Sequence, residues 1–138
     1  MCQAVYGSML FMAIVHHHLI YQASIGSNDL NKNAEKTLEK FLYDLVKEID
    51  MRILIPPQLK FSHQKAWSGL IGIVTSHISF HYWTIEQYVQ LDIYSCKKFD
   101  KEKTIAFCNK FWEAKNTKIL FIDREVGKDF HIQKISQP

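Results

Sequence analysis

The sequence predicts an α+β fold: a two-layer sandwich in which a mainly antiparallel sheet carries two helices on one face. Three observations lead there. Two segments repeat apolar residues every three or four positions, several others alternate as strands do, and few connections are long enough to demand parallel pairing. The chain has 138 residues, enough for one domain with a real core and too few for two. Its 47% hydrophobic and 22% charged residues are those of a folded chain.

Residues 13–24 hold Ile14, Leu19, Ile20 and Tyr21 and end at Gly26-Ser27-Asn28-Asp29, so they read as a strand and its exit turn. From Asn33 to Ile49, Ala34, Leu38, Phe41, Leu42, Leu45 and Ile49 make an apolar stripe opposite Glu35, Lys36, Lys40 and Lys47. This predicts an amphipathic helix, with Asn31 or Asn33 as its cap. Proline cannot donate to a ladder, so Pro56-Pro57 is expected to interrupt the strand Arg52–Ile55 and to start a separate segment through Phe61. Gly69–Val74 suits a buried strand. In the next strand Val89, Leu91 and Ile93 face one way and Gln90, Asp92, Tyr94 and then Cys96 the other. Asp100 opens a second helix with Ile105, Cys108, Phe111 and Trp112 buried, and Lys118–Ile122 forms a last strand. The tail after Arg124 is polar and expected to be loose. Both helices on one face leave the other bare, and Phe80, Tyr82, Trp83 and Tyr94 are assigned to it, to be covered by a second subunit or to line a buried pocket; a homodimer is the simplest cover.

Composition excludes several functions. The net charge of +3, from 17 basic and 14 acidic residues, is spread without a polybasic block, so no nucleic-acid partner is expected. Met9–Val15 is apolar but far short of a membrane span and lacks the basic flank of a secretion signal, so no membrane association is expected. Met12 can serve as the natural start, leaving residues 1–11 as an upstream extension. Cys2, Cys96 and Cys108 are odd in number and lack CxxC spacing, which indicates neither a disulfide framework nor a zinc site, and fits a reducing, cytoplasmic compartment. His16-His17-His18 alternates faces on a strand, so the three cannot chelate one ion together, and they read as exposed imidazoles.

The chemistry concentrates between Ser68 and Trp83, with Cys96 beyond. Hydroxyls, imidazoles and a thiol are the side chains that attack carbonyls and move protons near neutral pH. Ser76 and His81 stand five apart, which puts them on opposite faces of a regular strand; a bulge or turn must intervene if they meet.

Ser68-Gly69, Ser76-His77-Ile78-Ser79-Phe80-His81-Tyr82-Trp83 and Leu91-Asp92-Ile93-Tyr94-Ser95-Cys96 together resemble the S-adenosylmethionine decarboxylase proenzymes of the short prokaryotic type. His18-Leu19-Ile20, the helix of residues 33–49 and Lys118–Glu125 extend the likeness to nearly all of the chain after Met12, one pyruvoyl-decarboxylase-like domain over 12–138. The resemblance implies self-cleavage between Thr75 and Ser76, leaving a pyruvoyl group made from Ser76, with neither metal nor pyridoxal phosphate. It implies His81 as the processing base, Ser68 as a processing residue hydrogen-bonded to the reacting peptide, and Cys96 as proton donor. The pyruvoyl carbonyl would form an imine with the amine of S-adenosylmethionine, whose decarboxylated product serves polyamine (spermidine) biosynthesis.

The sequence departs from that pattern near the nucleoside site. Thr75 replaces the glutamate before the cleaved serine, Thr84-Ile85 replaces Pro-Glu, Ala66-Trp67 replaces Gly-Val, and the stacking aromatic moves from Ser62 to Phe61. Phe61, Trp67 and Glu86 are the substrate-binding candidates that remain. The departures raise two alternatives: the same chemistry on ornithine or arginine, with Asp92 and Glu86 receiving a cation, or an unprocessed homologue acting as a binding or regulatory subunit.

Overall fold

The computed structural model describes residues 15–26, 30, 32–125 and 127–138. The suggested extension 1–11, Met12, the first residues of the expected strand, the turn residues 27–29 and Asn31 lie outside them. In chain order the elements are β1 (His17–Ile25), α1 (Ala34–Glu48), β2 (Ile53–Phe61), β3 (Ala66–Ile73), β4 (Ser76–Trp83), β5 (Tyr88–Ser95), α2 (Lys101–Trp112), β6 (Ala114–Asp123) and β7 (His131–Gln137). The strands form one seven-stranded sheet in the order β2-β3-β4-β5-β1-β6-β7, with every neighbour antiparallel.

Strand alternation decides what each face carries. Leu19, Tyr21 and Ala23 of β1, Ile71 of β3, Ile78, Phe80 and Tyr82 of β4, Val89, Leu91 and Ile93 of β5, and Ile119 and Phe121 of β6 are all buried in one core with the helices. From α1, Phe41 stacks on Phe111 of α2 at 4.3 Å between ring centroids and meets Phe80 edge-on at 6.1 Å. Trp112, fully buried, lies 5.5 Å from Tyr82 and 5.2 Å from Phe41. Phe80 and Tyr82 therefore belong to the helix-covered face, not to the bare one assigned to them above. Trp83 and Tyr94 do share the bare face, with His77, Ser79 and His81. No helix among the described residues is long and apolar enough to cross a membrane.

Four other expectations change. Pro56-Pro57 lies inside β2, which runs unbroken to Phe61. As an edge strand β2 bonds on one side only, and its register with β3 shifts between Ile53 and Ile55 and again between Ile55 and Gln58, which spares the prolines from donating. The polar tail forms β7, in register with β6 from Thr117↔Gln137 to Asp123↔His131. Asp100 caps α2 by accepting from the Lys103 N–H at 3.0 Å, but Asn33, at φ 62°, makes no side-chain cap on α1. His17 is buried, edge-on to Phe121 at 4.9 Å, while His16 and His18 lie against Tyr94 on the bare face.

Burial of His17 carries a pH signature. Desolvation holds its imidazole below the ordinary 6.5, Asp123 opposes this from 3.9 Å, and Lys98 and Lys101 reinforce it. In the unfolded chain the imidazole takes up a proton as pH falls through about 6.5, while the folded chain resists. Stability present above that value is thus lost as pH falls towards the folded value. Melting curves from pH 7.5 to 5.5 should show a falling midpoint, and His17→Phe should flatten the fall.

Candidate active site

The hairpin between β3 and β4 is closed by the pair Ile73↔Ser76, leaving only Val74 and Thr75 in the loop. Such a tight loop needs a residue with positive φ, and Thr75 supplies it at 53°. The chain returns to this point through β5. Just past its end the Cys96 N–H donates to Ser76 Oγ at 2.9 Å, and Cys96 Sγ lies 2.9 Å from Thr75 Oγ1 and 3.7 Å from the Val74 carbonyl oxygen. Ser76 and Cys96 are both buried. A hydroxyl, a sulfur and the peptide joining Thr75 to Ser76 are thereby collected from positions twenty apart in sequence. An N–H aimed at Ser76 Oγ fixes its rotamer and stabilises negative charge there.

A second group lies further along the same strands. Ser68 of β3 and His81 of β4 are register partners, and Ser68 Oγ and His81 Nδ1 are 2.9 Å apart. Gly69 makes room behind them: a Cβ there would fall 2.2 Å from the Phe80 ring, which lies across β3 on the helix side. Beside His81 on the bare face stands Trp83, at 5.9 Å between ring centroids, with Tyr88 6.0 Å further on.

The two groups do not meet within one chain. β4 keeps unbroken register with both neighbours, so there is no bulge between Ser76 and His81. Five residues of strand separate them by about 16 Å and place them on opposite faces. The substrate-binding candidates also lie apart. Phe61 and Trp67 are partners 5.1 Å apart, in register with Tyr82 on the helix side, opposite Ser68 and His81. Moving the aromatic by one residue, from 62 to 61, turned it through the sheet. Glu86 is exposed in the β4–β5 turn, at the end of β4 away from Ser76.

Side chains that the sequence did not mark as catalytic or substrate-binding surround Tyr94, two positions before Cys96. His16 hydrogen-bonds its hydroxyl through Nδ1, His77 stacks on the ring at 5.4 Å, and Arg124 lies 5.2 Å from its centre. His18 Nε2 pairs with Asp92 at 2.9 Å in the same row. The signal for this row was strand parity, since His77, Tyr94 and His18 share a face once the strands pair. Cys108, the other described cysteine, is buried in α2, and desolvation pushes its thiol well above the ordinary range, so it packs rather than reacts.

The chain is a two-layer sandwich with a serine opening β4 and a cysteine folded against it. The crystal structure of the adenosylmethionine decarboxylase from Aquifex aeolicus has the same fold, with a TM-score of 0.65 at 17% identity over 88% of this chain and 98% of that one. The family model described as S-adenosylmethionine decarboxylase matches residues 17–125. The chain belongs to the S-adenosylmethionine decarboxylase family. A proenzyme of that name from Pyrococcus abyssi is 30% identical over 119 residues, 86% of this chain and 84% of its own length. One from Clostridium botulinum is 33% identical over 92 residues, 66% of this chain and 78% of its own.

Proposed function

We propose that the chain cuts itself between Thr75 and Ser76 and then decarboxylates S-adenosylmethionine. The observation that carries this is the return of Cys96 to the β3–β4 hairpin, where its N–H meets Ser76 Oγ and its sulfur meets Thr75. Family membership and the relatives' printed names support S-adenosylmethionine as substrate and lend nothing to ornithine, arginine or an inert homologue.

The cut needs no outside reagent until its last step. Ser76 Oγ adds to the Thr75 carbonyl carbon, the C–N bond breaks, and the proton passes from Oγ to the Ser76 nitrogen, leaving an ester. A base takes the Ser76 Cα proton, the Cβ–Oγ bond breaks, and residues 1–75 leave as a carboxylate. Water then hydrolyses the remaining dehydroalanine, releasing ammonia and leaving a pyruvoyl group on 76–138. The site fits the making of that group, since the buried Cys96 N–H points at Ser76 Oγ, the oxygen that leaves with residues 1–75 as part of their new carboxylate. Once formed, the pyruvoyl group supplies a ketone that captures the substrate amine and accepts the electron pair freed as carbon dioxide leaves. Cys96, held at the hairpin, is placed to give a proton from Sγ to the substrate α-carbon. The Cys96 sulfur is disulfide-bonded in this structure, against the expectation of free thiols, so that role requires its reduction to the thiol, which a cytoplasmic compartment favours.

Ser68 orients His81 through Nδ1, which fits His81 as the base. Because Ser76 and His81 do not meet in one chain, a second copy is the source we assign for the base, and the bare face, with Leu70, Trp83 and Tyr94, the surface it covers. The active species is then a homodimer of cut protomers.

Denaturing mass spectrometry of the purified protein should show fragments 1–75 and 76–138, and carboxyl-labelled S-adenosylmethionine should release labelled carbon dioxide. A chain that stays whole on prolonged incubation refutes the reading.

A further inference from the structure

We propose that Thr75 is a positioning residue whose strained backbone drives the cut at its own carbonyl; this rests on the self-cleavage reading above. Among the described residues, seven other than glycine have positive φ: Asn33, Asp50, Lys65, Thr75, Gln87, Glu113 and Asn116. Asn and Asp tolerate that region through their short polar side chains, and Lys, Gln and Glu carry no branch at Cβ. Thr75 is the β-branched member, the type for which positive φ is a true outlier.

Such a conformation persists only where the surroundings over-determine it. Here both neighbours are clamped. The Val74 N–H donates to the Arg52 carbonyl at 3.0 Å, and Ser76 Oγ accepts from the Cys96 N–H at 2.9 Å. Thr75 itself is tied at the side chain, its Oγ1 donating to the Val74 carbonyl at 2.8 Å and lying against Cys96 Sγ. Neither end of the loop can turn to relieve residue 75. The bond that the acyl shift breaks is the peptide C–N between Thr75 and Ser76, and the bond that forms joins the same carbonyl carbon to Ser76 Oγ. Strain held in the intact loop is released as that C–N bond opens, so it raises the starting state and not the product. Thr75, in the place where the resembling proenzymes carry glutamate, acts through its φ and its branch, without handling a proton.

Glycine and valine separate the effects of branch and hydroxyl. Freshly synthesised full-length chain, sampled over time by denaturing mass spectrometry, should cut at least about tenfold more slowly as Thr75→Gly than as wild type. Thr75→Val, which keeps the branch and loses the hydroxyl, should cut faster than Thr75→Gly. In an uncleavable Ser76→Ala background, Thr75→Gly should melt at or above its parent, a readout that plain loss of structure would move the other way. Thr75→Gly cutting as fast as wild type, Thr75→Val as slow as Thr75→Gly, or a lower melting point for the glycine chain would each overturn the strain. A wild-type chain that never cuts would instead overturn the self-cleavage reading, and this inference with it.

Discussion

Ser76→Ala is expected to remain one uncut chain of 16.2 kDa and to release no carbon dioxide from S-adenosylmethionine. Removing Oγ removes both the nucleophile of the cut and the ester oxygen whose elimination leads to the pyruvoyl ketone, so the two activities vanish together. The fold should survive. The substitution strands the Cys96 N–H, which now donates to Ser76 Oγ at 2.9 Å, and an unsatisfied buried donor costs about 1–3 kcal/mol. That lowers the melting point by a few degrees. Cys96→Ala gives the contrasting result. It leaves Ser76 Oγ, the Thr75 carbonyl and the backbone N–H of residue 96 in place, so the cut proceeds, while decarboxylation falls by about 10²–10⁴ through loss of the proton donor. Intact mass and carbon dioxide release, measured on both variants, check the separation. An uncut Cys96→Ala chain would mean that the sulfur belongs to the cut itself.

What the sequence made legible follows from which residues had to face a core. α1 was visible because Leu38, Phe41, Leu42 and Leu45 must all meet the sheet, and β5 because Val89, Leu91 and Ile93 must alternate with solvent. β7 was invisible for the opposite reason. It is an edge strand, largely exposed on both faces, so neither alternation nor apolar content marked it, and only its pairing with β6 makes it a strand. Pro56-Pro57 misled because the prohibition on proline applies to a strand bonded on both sides, and β2 is bonded on one. At the site, the Ser68–His81 pair depends on cross-strand register and the return of Cys96 on the path of β5, neither of which spacing along the chain reveals. Parity, by contrast, was readable from the start. It put Ser76 and His81 on opposite faces, and the structure adds no bulge to bring them together.

That parity leads to the second large effect. Ser76→Ala and His81→Ala chains, each expressed alone, are expected to stay uncut: the first lacks its nucleophile, and the second loses a base worth about 10²–10⁴ in rate. Co-expressed with distinguishable tags, the two are expected to form mixed dimers in which the His81→Ala chain keeps its own Ser76 and meets an intact His81 on the other copy. Random pairing puts about half of the His81→Ala chains into such dimers, and that share should be cut while every Ser76→Ala chain stays whole. The result depends on the separation of about 16 Å along β4, which side-chain motion cannot span. If the base acted within its own chain, no His81→Ala chain would be cut in any mixture. Efficient cutting of His81→Ala expressed alone would take the base role from His81 altogether. A cut confined to the mixed dimer requires that self-processing wait for assembly: a lone protomer holds the nucleophile and its strained bond, and the proton acceptor arrives with the second copy.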